Sequence, residues 1–174
     1  GVPDLAVANR GSNSIALYAV NPMDPLKFFT LVPLDAPLQD LTGPMGIALH
    51  PQGIKLYVAG NGKVANWYSV TIYDIDLSSG KPYPTAAHIG GDKTGLCNPS
   101  TVAVDSTGSY LYVANRESSG GSITFYYLND DGSLKVPAGA PADFNVQPAA
   151  MLLHDTDNQL GAPVGLVTSP DGTP

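Results

Sequence analysis

The two arginines of this chain stand at the end of the same text, Val7-Ala8-Asn9-Arg10 and Val113-Ala114-Asn115-Arg116. A guanidinium offers a planar fork of N–H donors that matches a carboxylate or a phosphate. Two of them at equivalent positions of different units could clamp an anionic sugar acid or lactone, with Asn9 and Asn115 beside them. Glu117, the single glutamate, follows Arg116 directly and could serve as a general base. A scaffold reading stands next to each role. Asn tolerates a left-handed backbone and bonds locally, an Arg stem packs over neighbouring apolar surface, and Glu117 could form a solvated ion pair.

Composition narrows the class of protein that carries these residues. The chain has 174 residues, of which 43% are hydrophobic, with 19 glycines and 16 prolines. That mixture suits many short strands joined by tight turns, since a disordered chain would lack the apolar content. The net charge of −7, with eight Lys and Arg, disfavours a phosphate-neutralising surface, so no nucleic acid is expected as partner. No run of about 18 apolar residues is present, so no membrane span is expected and the protein is expected to be soluble. The single Cys97 excludes an intramolecular disulfide and is compatible with a cytoplasmic, secreted or periplasmic setting.

The elements that must position the arginines are short strands. In Pro99–Arg116 two apolar runs, Thr101–Val104 and Tyr110–Ala114, flank the polar turn Asp105–Ser109, which reads as a β-hairpin. The text recurs at Pro44–Asn61; its second half occurs as Leu5–Arg10 and its first half as Pro163–Gly172. From Pro44 to Pro99 is 55 residues, room for four successive strands, here termed a to d: Met45–Leu49, Lys55–Ala59, Trp67–Ile75 and a weaker one near Thr85–Ile89. The next unit reads Thr101–Val104, Tyr110–Ala114, Ser122–Leu128 and Ser133–Val136; the first has Leu5–Asn9, Ser14–Val20 and Leu26–Val32. No segment shows helical periodicity.

Four-stranded units repeating at roughly 40 to 55 residues predict an all-β protein, a β-propeller of antiparallel blades. The whole chain, 1–174, reads as one such domain, divided near 1–43 (strands b to d), 44–98, 99–147, 148–160 (partial) and 161–174 (partial). Pro148 and Pro163 both match a strand-a start but lie only 15 residues apart, which no blade fits. The expectation is an incomplete ring, with sequence missing between Leu160 and Gly161 or with another chain completing it.

The texts Val7–Val20 and Leu111–Leu128 resemble the lactonase-like, seven-bladed propeller family, which includes the 6-phosphogluconolactonase type and neighbours the YVTN-repeat surface proteins. Ser169-Pro170-Asp171-Gly172-Thr173 and His50-Pro51-Gln52-Gly53 are similar to that family's a–b turn. The resemblance implies a site over the central channel, where the b–c and d–a loops converge.

That geometry sorts the remaining chemistry. Arg10, Arg116 and Glu117 fall on the ligand-facing end, with Asp40, Asp92, Lys63 and Lys93 in the same loops and Cys97 and Asn98 entering strand a. These show no metal-ligand spacing, and neither a metal nor a cofactor is expected. His50 and His154 fall in a–b turns at the opposite end, and His88 in an outer strand. Lactone hydrolysis needs a base and an oxyanion donor, and no histidine base reaches the arginines. Asp130-Asp131-Gly132 lacks the alternation of a calcium loop. The leading expectation is a binding or interaction scaffold that meets a small anionic ligand or another protein. The alternative is a lactone hydrolase or lactonising enzyme.

Overall fold

Val, Ile, Tyr and Thr dominate the short runs, and such side chains fill a pleated surface better than they fit a helix. The structure, a computed structural model, describes residues 5–20, 28–33, 41–62, 68–78, 82–90, 96–117, 120–135, 150–152 and 161–170. Among them every regular element is a strand, and no helix is long and apolar enough to cross a membrane. The first sheet is β1 (Leu5–Asn9), β2 (Ser14–Val20) and β3 (Phe28–Pro33), in that order. The second is β4 (Leu41–Leu49), β5 (Lys55–Gly62), β6 (Tyr68–Ile75) and β7 (Pro82–Gly90). The third is β8 (Pro99–Val104), β9 (Tyr110–Glu117), β10 (Gly120–Tyr127) and β11 (Ala150–Leu152). All the pairings are antiparallel meanders, as propeller blades require.

Two strands differ from expectation. Ser133–Val136, expected as an outer strand, gives a single bridge between Leu128 and Leu134, and Val136 lies outside the described residues. The tight turn Asn129–Gly132, with Gly132 at φ 72, returns the chain to the end of β10 for that one pair. The outer strand of the third sheet is β11, taken from the stretch 148–160 that the repeat assigns to a further unit. β4 also starts earlier, at Leu41, because a bulge between Thr42 and Gly46 lets it continue past Pro44.

The sheets pack face to face, so each strand buries alternate residues toward opposite neighbours. Between the first and second sheets lie Ile15, Leu17, Leu56, Val58, Tyr73 and Ile75. Between the second and third lie Tyr57, Ala59, Val70 and Ile72 against Val102, Leu111, Val113 and Tyr126. Each fully buried aliphatic or aromatic side chain contributes about 1.5–3 kcal/mol, which makes these two interfaces the core. The inner strands set the spacing. A side chain at Gly46 would run into the backbone of Thr101, so β4 and β8 lie as close as two backbones allow. Beyond β8 runs an extended segment, Pro163–Thr168. Ser100 Oγ donates to Pro163 O (2.5 Å) and Thr168 Oγ1 to Val104 O (2.8 Å), so it runs parallel to β8 as the next inner strand would.

Candidate functional site

The end of the blades where β9 stops and β8 starts carries the sequence-predicted site. Asn98, at φ 52, turns the chain into β8, and Asn is among the residues that tolerate that left-handed position. The Arg116 N–H donates to Asn98 O (3.1 Å), and Asn98 Nδ2 donates to Arg116 O (3.3 Å). Both backbones are thereby fixed.

Asn115 is fully buried, and its amide ties β9 to β10 and to the segment that leads into β8. Its Oδ1 accepts from Cys97 N–H (3.1 Å), while its Nδ2 donates to Ser122 Oγ (3.2 Å) and Thr124 Oγ1 (3.4 Å). That is a positioning role under Arg116. Its backbone stays in the strand; the left-handed residues other than glycine, among those described, are Asn13 and Asn98. Cys97 is half-buried and forms no disulfide.

Arg116 is half-buried, and its Nε is enclosed without a hydrogen-bond partner. It lies opposite Gly121 in the ladder. The space a side chain would take at Gly121 is filled by the Gly161 carbonyl and the Pro163 ring. The sequence reading, which starts this strand at Ser122, missed that close approach; the Gly120-Gly121 pair was the available signal.

Arg10 sits elsewhere. It is exposed on the β1–β2 turn, with its carbonyl accepting from Asn13 N–H (3.3 Å), and Asn13 Oδ1 takes the Gly43 N–H (2.7 Å). Asn9 is half-buried and accepts a bond from Ser12 Oγ at its carbonyl (3.5 Å). Arg10 and Arg116 share one end of the blades but belong to the first and third sheets, and the second stands between them. Glu117 closes β9 opposite Gly120. Asp40, Lys63, Asp92, Lys93 and His154 lie outside the described residues, and among the described residues no three metal-ligating side chains converge.

His50 stands at the far end, 3% exposed. Its Nδ1 accepts from Gln52 N–H (3.3 Å), which leaves the ring proton on Nε2, facing Gly108 O at 3.4 Å. Burial lowers its pKa below the usual histidine value, so it is neutral near pH 7. It is a joint between the second and third blades, remote from Arg116.

No family model matches the chain, and no curated protein matches it by sequence. Solved structures do. A chain of the nidogen/laminin complex aligns at 18% identity and TM-score 0.57, over 94% of this chain and 48% of that one. The fold is a β-propeller arc. Hydrazine synthase of Kuenenia stuttgartiensis aligns at 18% and 0.57, over 96% of this chain and 44% of that one. A candidate 6-phosphogluconolactonase of Bacteroides uniformis aligns at 19% and 0.54, over 84% and 39%. The arc spans less than half the length of each, and at such identities the likeness is one of fold.

Proposed function

We propose that this arc is a binding propeller whose b–c and d–a loop end receives a small anion at Arg116. The observation that carries the reading is the enclosed, unpartnered Nε of Arg116 on a backbone pinned by Asn98 and braced by Asn115. A buried donor left unsatisfied is costly, by about 1–3 kcal/mol, and a carboxylate or phosphate oxygen would relieve it. A lactone hydrolase is the competing reading, supported by the fold likeness to the 6-phosphogluconolactonase candidate. Against it, the described histidine with a defined ring, His50, is held at the other end of the blade.

Calorimetric titration with gluconate and with 6-phosphogluconate tests the proposal. Arg116→Ala should weaken binding about 10- to 100-fold, the worth of a hydrogen bond to a charged group. Arg116→Lys should recover part of it, since a point charge lacks the fork. Binding that is absent, or indifferent to Arg116→Ala, overturns the reading. Gluconolactone turnover that falls with Arg116→Ala would favour the hydrolase instead.

A further inference from the structure

At the far end, the joint between the second and third sheets is made by a side chain that can take up a charge. His50, between β4 and β5, is enclosed by two turns of the third sheet. In the β8–β9 turn Gly108 has φ 75, and the His50 imidazole fills the space a side chain would need there. In the turn after β10 Gly132 has φ 72, and the space beside it holds the Lys55 stem, the Tyr57 hydroxyl and the His50 Cδ2. A cavity of about 100 Å³ borders the imidazole and is otherwise lined mainly by polar groups, from Gln52, Thr107, Ser109, Asn129 and Asp130, with Leu128 beside them.

The imidazole is held there as a neutral wedge. Its Nδ1 accepts the Gln52 N–H, so a second proton at that atom would set donor against donor. Its Nε2–H reaches Gly108 O only at 3.4 Å, a long contact that repays little of the cost of burying a charge. The charges around the joint act the other way. Asp105 faces the imidazole from the β8–β9 turn and Asp131 from the turn after β10, while Asp130 lines the cavity. Lys55, on the same hairpin as His50, opposes them but is paired with Asp74. The Tyr57 hydroxyl, the remaining titratable group at the joint, stays protonated and bonded to Gly132 O. Enclosure therefore favours the neutral imidazole, whereas contact with water and three carboxylates favours the charged one.

We propose that His50 is a proton-operated latch: a proton gained at Nδ1 releases the imidazole from the Gln52 N–H and draws it into the adjoining cavity, opening the far-end joint between the second and third sheets. The proton comes from solvent, and no other covalent bond changes. The opening is local, because the rest of the interface is carried by Ala59, Val70, Ile72, Val102 and Val113, which do not titrate. The direction follows from linkage. The open form takes up its proton near the ordinary histidine value and the closed form only below it, so acidification through about pH 6.5 favours the open form. The latch lies at the opposite end of the blades from Arg116 and does not depend on the anion reading.

Hydrogen exchange on the 174-residue chain tests the latch, with protection corrected for the intrinsic pH dependence of amide exchange. The Gly53, Gly108 and Leu128 N–H groups donate within the joint to His50 O, Asp105 O and Ser109 O. From about pH 7.5 to about pH 5.5 their protection should fall about 10-fold. Val58 and Val113, in the middle of β5 and β9, should keep theirs. His50→Gln retains a neutral donor toward Gly108 O but cannot titrate, so its joint protection should stay level across this range. Should that variant fail to fold, the unmutated chain still decides the matter by NMR. Its His50 ring signals and its Gly108 and Leu128 amide shifts should move together, with one midpoint below 6.5. Level protection in the unmutated chain, a wild-type loss in His50→Gln, an equal loss at Val58 and Val113, or separate midpoints would each overturn the latch.

Discussion

At one end of the third sheet the Asp105 carboxylate takes the N–H groups of Thr107 (3.1 Å), Ser109 (2.8 Å) and Tyr110 (2.7 Å), together with the Thr107 hydroxyl. The neighbouring blade adds His50 under Gly108 and Tyr57 under Gly132. At the other end, Asn98 and Asn115 secure the backbone equally well, but the Arg116 Nε is left with nothing to donate to. The same strands run through both ends. What separates them is whether side-chain polarity is consumed by the blade or, as at the Arg116 Nε, left without a partner, and the proposed anion site rests on that difference.

The sharpest way to break the comparison is at Gly108, which sits at φ 75 with its missing side chain directed into the His50 ring. Gly108→Ala combines a left-handed backbone cost of about 1–2 kcal/mol with overpacking of a similar size. A loss of about 3 kcal/mol is expected by urea denaturation. Gly11→Ala, with nothing nearby, should change stability by less than about 0.5 kcal/mol. If the two ends are independent, the folded fraction of Gly108→Ala keeps its anion affinity.

Much of this architecture is written in the repeat. Val, Tyr and Ile at period two, bounded by His50–Gly53 and Asp105–Ser109, mark β4, β5, β8 and β9 because local turn chemistry and strand propensity agree there. The extra length of β4 and the strand β11 are less legible, since they depend on what the adjacent strands β5 and β10 offer for pairing. The site divides in the same manner. The Asn-Arg repeat puts both arginines at one end of the blades, but a repeat cannot tell a buried Asn115 from a half-exposed Arg116, nor that the second sheet stands between Arg10 and Arg116. Those facts come from packing between sheets, to which a single strand's text is blind.

Tyr57 sharpens the contrast at intermediate size. Its hydroxyl is deeply buried and donates to Gly132 O, and burial pushes its pKa far above the usual phenol value, so it remains a donor throughout the alkaline range. Tyr57→Phe strands that carbonyl and should cost about 1.5 kcal/mol in denaturant unfolding. Tyr112→Phe, on the outward face, should cost the isolated arc far less. A similar loss at Tyr112 would mean that its hydroxyl is engaged within the arc.

The smallest effects belong to pH, and both act at the far end. Burial raises the Asp105 pKa, but the bonds from the Thr107 side chain and the Tyr110, Thr107 and Ser109 backbone outweigh it, leaving the folded value below 3.8. Between the folded and unfolded values the unfolded chain binds the extra proton, so this contribution is complete above the unfolded value and fades as pH falls through the folded one. His50 has a folded pKa below 6.5, and again the unfolded state takes up protons first, so its contribution is present above pH 6.5 and declines on acidification. Stability should therefore fall in two steps on acidification, one beginning near pH 6.5 and one below about pH 4. Asp105→Asn should flatten the lower step by about 0.5 kcal/mol, after allowance for solvent screening at a half-exposed turn. Arg116→Ala should leave both steps in place, because no titrating group of the far end touches it. A pH profile altered by Arg116→Ala would show that the two ends of the blade are coupled, and that the site is not simply mounted on a finished scaffold.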